Sequence, residues 1–484
     1  MNVVWFKRDL RVKDHDALAT ALALGSTLPL YIIEPELWQQ PDRSWRQWRF
    51  LLDSLTSLDE ALRAEGGELC VRVGNAVEVL ETLRQEFGDL KLHAHEETGT
   101  RWTDQRDIAV RRWCKDQQVP WQEQRQFGVF RALRQRDGWA GLWKQQMRLP
   151  LAQLPTERHW QSSASTPGWK QWQPPVEIDQ VTVQAGGIAP GRQLMHSFFS
   201  SRGEHYHHEL SSPQTAEDSC SRLSTHLSLG TVSIRELAQR TWRAQTLSKG
   251  KGGNWSKALK AFEGRLHWHC HFIQKLESET RIEFENLDPS ADGLREDCFD
   301  TDKFHAWQTG QTGFPLVDAC MRYLNATGWL NFRMRAMLVS FASYQLWLHW
   351  RQPALHLARM FTDYEAGIHF SQMQMQSGTT GINALRIYNP IKQSFDQDPS
   401  GQFVRTWVPE LAGVSDSWIH EPWRMTGTLQ ANAGCSIPGD YPAPVVDPVN
   451  AARAAKARMA QVRRPEDRGQ RQRIAHKHGS RRRH

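Results

Sequence analysis

Over its first 130 residues the chain alternates short, wholly apolar runs with amphipathic stretches. Asn2–Phe6 is a short apolar run, the Ala/Leu-rich Asp16–Leu24 follows, and residues 28–33 form a second buried-strand candidate. Within Trp45–Ala64, Trp48, Leu51, Leu52, Leu55, Leu58 and Leu62 recur at helical spacing. The alternation continues through 69–73, Ala76–Phe87, 91–94 and 104–117. Strands that are apolar on both faces and separated by helices predict a doubly wound α/β domain with a parallel sheet over residues 1–130. Its first turn lacks a Gly-rich phosphate fingerprint, so no dinucleotide site of that type is expected there. Residues 131–200 lose the period. Pro150, Pro155, Pro167, Pro174, Pro175 and Pro190, spaced by Ser and Gly, predict a long interdomain linker. Helical spacing then dominates over 233–246, 256–276, 314–326, 332–351 and 354–361, predicting an all-α domain over 201–445. Residues 446–484 read as a basic, at least partly disordered tail.

Composition changes this picture mainly by locating the charge. The 484 residues hold 60 Lys/Arg and 53 Asp/Glu, a net +7 that invites a polyanionic partner. Residues 451–484 alone carry 12 Lys/Arg against Glu466 and Asp467, or +10, which leaves 48 basic and 51 acidic groups, or −3, on the body. The tail is either a solvated end or a source of salt-dependent phosphate contacts. The N-terminus is charged from Lys7 onward, without a signal-peptide run. The most apolar stretch, about 336–350, is interrupted by Ser340, Ser343 and His349 and is too short to span a bilayer. Seven cysteines stand singly, which predicts reduced thiols in a cytoplasmic, non-membrane protein and no iron–sulfur cluster. The 22 Trp fit a core, base stacking or an electron relay.

Several polar residues sit where a helical core does not need them. The segment from Ser219 through Cys220, Ser221, Arg222 and Leu223 to Ser224 either caps a helix or cradles a phosphate with the same donors. Arg335 and Asp363 are charges in apolar surroundings, either a structural ion pair or one that sets the potential beside a cofactor. His267 and His271 have the i, i+4 spacing of metal ligands, but no Glu follows His267 and no metal is assigned.

The chain resembles the photolyase/cryptochrome family. The resemblance rests on Val4-Trp5-Phe6-Lys7-Arg8-Asp9-Leu10-Arg11 with Asp14 and Ala17-Leu18, and on Ser221-Arg222-Leu223-Ser224 with Leu229-Gly230. It continues in Trp307-Gln308-Thr309-Gly310, Thr312-Gly313, Pro315, Val317-Asp318, Met321-Arg322 and Leu324-Asn325-Ala326-Thr327-Gly328-Trp329. Asp363-Tyr364-Glu365 and Arg386-Ile387-Tyr388-Asn389-Pro390 complete a series in family order over residues 1–430. The resemblance implies an antenna-type α/β domain and a helical domain that binds FAD. It implies that Tyr206 and Cys220, Ser221, Arg222, Leu223 and Ser224 hold the diphosphate and that Phe262 lies along the flavin. Arg335 and Asp363 would pair near the isoalloxazine, with Tyr364 and Glu365 in contact, and Trp268 would be the aromatic platform on the DNA side.

Departures from the family pattern matter as much. Arg265 stands where relatives that repair cyclobutane dimers carry Glu, and it cannot supply a carboxylic proton. Asn331 and Phe332 stand where relatives that repair (6-4) photoproducts carry His. His369 is expected opposite flavin N5, either exchanging a proton near neutral pH or satisfied by a backbone carbonyl. Trp350 matches the middle member of the electron-transfer chain, but Met373 takes the proximal position and 297–299 hold no Trp. One histidine of His267-Trp268-His269-Cys270-His271, with His267 and His271 foremost, is expected to supply the proton or hydrogen bond that the absent Glu or His would give. His95-Glu96-Glu97-Thr98-Gly99-Thr100-Arg101-Trp102 lies where relatives contact an antenna pterin or deazaflavin, without matching one chromophore's pattern. These features lead to a monomeric carbon–carbon lyase acting on UV-damaged DNA, a photolyase using reduced FAD and light. A cryptochrome-like blue-light photoreceptor is the alternative, and a non-photochemical nucleic-acid binder the third class.

Overall fold

The computed structural model of the chain describes residues 1–133, 135–250, 252–382, 385–462 and 468–479. Strands β1 (Asn2–Phe6), β2 (Thr27–Ile33), β3 (Cys70–Val73), β4 (Lys91–His95) and β5 (Trp121–Gln124) form one sheet in the order β3-β2-β1-β4-β5. All pairs are parallel, with Val3 opposite both Leu28 and Leu92. Every residue of β1 and β2 is buried, as strands covered by helices on both faces must be. The order reverses between β1 and β4, so the crevice beyond their carboxyl ends opens at Lys7–Asp9 and His95–Glu97. β5 carries the polar sequence Trp-Gln-Glu-Gln at the sheet edge, which is why no apolar run announced it.

Three expectations are corrected. The segment 131–200 is not an unpatterned linker: it carries the helices Trp139–Arg148 and Ile188–Ser200. Trp139, Trp143 and Met147, one turn apart, bury one face of the first. The rest lies along the sheet, where Thr27 exchanges backbone hydrogen bonds with His159 and Gln161 at 2.9 Å. The run 332–351 is not one helix. Its α-helix Phe332–Ser340 widens into a π turn over Phe341–Gln345, Trp347 turns left-handed at φ 56°, and the helix Arg351–Met360 starts afresh.

The third correction concerns the tail, which is helical over Pro448–Val462 and Arg468–His478. Ala455 and Met459 are buried against Tyr344, and Arg295 Nη2 approaches Met459 Sδ at 3.5 Å. Apolar burial outweighs the basic composition here. Met459→Ala is expected to cost about 2–5 kcal/mol, seen as faster hydrogen exchange over Pro448–Val462.

Arginines stitch the two halves together. Arg46 donates to the carbonyls of Leu324, Asn325 and Met360 at 3.3, 3.1 and 3.0 Å. Arg235 binds Asp14 through its guanidinium, and Arg8 pairs with Glu365. Among the described residues no helix is long and apolar enough to cross a membrane.

Candidate functional site

The helical half holds a deep cavity that opens to solvent. One wall is the helix Trp255–Ser278, whose Phe262, Arg265, Leu266, His269 and Phe272 recur every three or four residues and face inward. A second wall is the helix Ala366–Ser377, which presents Ile368, His369, Gln372, Met373 and Gln376. Trp329, Leu330, Asn331, Phe332, Arg335 and Ala336 close a third side, and Tyr206, Cys220, Ser221 and Ser224 close the end.

Arg335 donates two hydrogen bonds to Asp363, at 3.0 and 2.8 Å, and stacks on Phe361 with its carbon 3.9 Å from the ring centroid. Its Nε donates to the Leu330 carbonyl at 2.6 Å, so the guanidinium is fixed in plane. Asp363 has only 3% of its side chain exposed, and this pair sets the field of an otherwise apolar wall. Glu365 accepts from Gly367 N at 3.4 Å, capping the helix that carries His369, and pairs with Arg8 from the α/β domain. The Tyr364 hydroxyl donates to Asp42 Oδ2 at 2.7 Å, tying the cavity wall to the same domain. Burial, and then the negative charge of Asp42, hold that hydroxyl well above the usual tyrosine range.

His369 lies 2.8 Å from the Ala354 carbonyl through Nε2. A carbonyl only accepts, so Nε2 carries the proton, and burial holds the ring neutral with its pKa pushed down to about 4. Of the two readings of this residue, the geometry is the one satisfied by backbone. His269, also cavity-lining, is pushed down to about 3 by burial and then by Arg8.

The mouth is a clamp of cation and rings. The Arg265 guanidinium lies 4.3 Å from the Trp268 ring and 5.2 Å from Phe332, and the two rings are 6.2 Å apart. Trp268 is 44% exposed and Phe332 37%, although both are large apolar side chains.

The sequence-derived site assembles unevenly. Tyr206, Cys220, Ser221, Ser224, Phe262, Arg265, Trp268, Arg335, Asp363, Tyr364, Glu365 and His369 all line the one cavity. Arg222 and Leu223 do not. Arg222 stacks on the outer face of Trp329 at 4.1 Å, and Leu223 is core. His267 and His271 also turn away, because i, i+4 places them together on the other side of the helix from Phe262 and His269. His267 packs on Trp139 and Trp143 at 4.7 and 5.1 Å, while His271 Nδ1 accepts from Arg136 at 2.6 Å. Burial, with Arg136 second, pushes His271 down to about 2, so it offers no proton near neutrality. His267→Ala is therefore expected to leave cofactor content and any light-driven activity unchanged. Activity lost by His267→Ala, at full cofactor content, counts against this placement. Trp350 is fully buried behind the wall, donating to Asn286 Oδ1 at 2.8 Å with Phe370 at 6.5 Å, whereas Met373 reaches the cavity itself.

Two further arrangements lie at the switch point. Glu97, Gly99 and Thr100 of the 95–102 segment border a second, smaller cavity with Trp5, Tyr31, Arg106 and Tyr364. Beside it, Asp9 Oδ2 lies 3.0 Å from His15 Nε2 and 2.7 Å from His95 Nδ1. His95 Nδ1 is hydrogen-bonded to Asp9, and His15 Nδ1 accepts from Leu18 N, which leaves the His15 proton on Nε2.

The sequence reading missed Gln372 and Gln376, and of its histidine cluster only His269 faces the cavity. Gln372 Nε2, Gln376 Oε1, Asn331 Oδ1 and Arg265 Nη1 are buried in the walls without a hydrogen-bond partner. Orphaned donors and acceptors in an otherwise apolar cavity call for a large ligand with both aromatic and polar parts. FAD fits that donor set: hydroxyls of Ser221 and Ser224 at one end, the Arg335–Asp363 pair and glutamine amides along the sides.

A parallel α/β domain joined to a helical domain with such a cavity defines a nucleotide-cofactor-binding protein. The comparisons narrow the class. A family model for the FAD-binding domain of DNA photolyase matches residues 262–461, and one for DNA photolyase matches residues 2–132. A deoxyribodipyrimidine photo-lyase from Streptomyces griseus is 31% identical over 477 residues, spanning 94% of this chain and 98% of the relative. Cryptochrome-2 from Arabidopsis thaliana is 28% identical, spanning 92% of this chain and 76% of the relative. The crystal structure of a class III photolyase from Agrobacterium tumefaciens superposes with a TM-score of 0.81 at 25% identity, over 95% of this chain and 97% of that one. The chain belongs to the photolyase/cryptochrome family.

Proposed function

We propose that the protein is a photolyase that repairs UV-induced pyrimidine lesions in DNA with light and reduced FAD. The observation that carries this reading is the exposed Trp268–Arg265–Phe332 clamp at the mouth of a cavity with unpaired polar groups inside. An extrahelical base needs a π face to replace its lost stacking partners, and Trp268 supplies one at the surface. Arg265 Nη1 has no protein partner and donates to a lesion carbonyl. Because a guanidinium stays protonated, Arg265 stabilises negative charge on the lesion without transferring a proton. Cysteine and histidine protons are withheld as well, since burial pushes the Cys220 thiol up to about 12 and holds His369 neutral. Bound and reduced, FAD supplies the light-driven electron. The chain's own residues exclude water, orient the lesion and set the local charge. DNA affinity then comes from this clamp and the basic tail, not from the body.

The test is a blue-light assay on duplexes carrying one cyclobutane dimer or one (6-4) product. Light-dependent restoration of at least one lesion is expected. A second reading, a blue-light photoreceptor, is favoured by a docked, helical C-terminus available as an output element. Failure to repair either lesion at full FAD content selects it.

A further inference from the structure

The C-terminal helix Arg468–His478 ends on a buried cluster with far more positive than negative groups. His271, Lys275 and Glu279 follow one another at four-residue spacing at the end of the helix Trp255–Ser278, and so share a face. Arg136, from the segment after the sheet, covers the first of them, donating to His271 Nδ1 at 2.6 Å and to its carbonyl at 2.9 Å. Lys477 and His478 cover the last, with Lys477 Nζ 2.7 Å and His478 Nε2 3.7 Å from Glu279 Oε2. Lys275 lies between. Arg136, Lys275 and His478 are 8%, 4% and 1% exposed, yet Arg136 Nη1 and His478 Nδ1 have no hydrogen-bond partner. Among the described residues, Lys275 Nζ meets the face of Phe272, at 5.2 Å, and no hydrogen-bond acceptor. Glu279 is the one carboxylate in contact among them, and Arg281 at 3.0 Å and Lys477 already engage it.

Buried N–H donors brought to one helix face from three chain segments, with a single shared carboxylate among the described residues, are costly as they stand. A tetrahedral oxyanion offers what is missing: negative charge and several acceptor oxygens for a guanidinium, an ammonium and an imidazole. We propose that Arg136, Lys275 and His478 form a binding site for a phosphate-class oxyanion, which clasps the C-terminal helix to the body. Each of the three is less than a tenth exposed, so the site suits a small inorganic ion. A nucleic-acid phosphate is the other source of the same chemistry. Burial followed by Arg136 pushes Lys275 down to about 8, in keeping with a cation that lacks its partner.

The experiment follows hydrogen exchange over 468–479 in the full-length, FAD-loaded chain. Inorganic phosphate is titrated against sodium chloride at matched ionic strength, with a parallel titration of an oligonucleotide lacking terminal phosphates. Exchange is expected to slow roughly tenfold when phosphate reaches ten times its Kd, with no such effect of chloride. Lys275→Met is expected to abolish the slowing while raising Tm in phosphate-free buffer, because it removes an uncompensated buried cation. Arg136→Gln, the independent variant, is expected to weaken phosphate binding about tenfold. Equal protection by chloride and phosphate, or phosphate protection that survives Lys275→Met, overturns the site. Protection by the oligonucleotide alone overturns the inorganic assignment.

Discussion

Asp363→Ala is expected to destabilise the helical domain by about 3–5 kcal/mol, read from the denaturant midpoint, and to leave the purified protein largely without FAD. The cost arises because the Arg335 guanidinium stays in place, held by the Leu330 carbonyl and the Phe361 ring, while its counter-charge disappears. A double replacement, Arg335→Met with Asp363→Leu, separates the two effects. Removing both charges returns most of the folding stability, since well-packed apolar residues substitute for a buried pair at little cost. FAD content stays low, because the cavity wall then lacks the Arg335–Asp363 charges that face the cofactor. If the double variant retains full FAD content, the pair is structural and has no role toward the cofactor.

Trp268→Ala is the second large effect. Base–aromatic stacking contributes about 1–3 kcal/mol per base, so affinity for a lesion-containing duplex is expected to fall roughly 10- to 100-fold. Affinity for undamaged duplex is expected to change little, because intact DNA offers no extrahelical base to stack. The ring is 44% exposed and rests on Arg265 and Phe332, so folding stability should stay close to that of the unmodified chain. Competition binding with a fluorescent lesion duplex at fixed salt checks this. Equal losses for damaged and undamaged DNA mean that Trp268 is only a general contact.

What was legible in the sequence follows from how strongly burial marks it. Past their polar first residues, Asn2 and Thr27, β1 and β2 are apolar because they are covered on both faces, and these runs placed them directly. β5 was invisible, since a polar edge strand has no apolar pattern to show. The helical tail was misjudged because its charge count hides two core residues, Ala455 and Met459, one turn apart. Within the site, Arg335 and Asp363 stood out as charges in apolar runs and do pair. His267 and His271 stood out for their spacing, yet the same spacing puts them on the wrong side of the helix. Spacing tells which residues share a face, and not which face looks into the cavity. Counting on from Phe262 at helical spacing, through Arg265 and Leu266, reaches His269 and was the available signal. Gln372 and Gln376, at the same spacing from His369, could have been found in this way too.

The central claim is that a lesion held on Trp268 is repaired from this cavity by light. The most direct measurement follows lesion loss from a defined-lesion duplex, in light and in darkness, with the FAD content of each sample measured alongside. The account predicts light-dependent repair by the unmodified chain, none in darkness, and a large loss in Trp268→Ala at equal FAD content. No repair of either lesion by the fully FAD-loaded chain contradicts it.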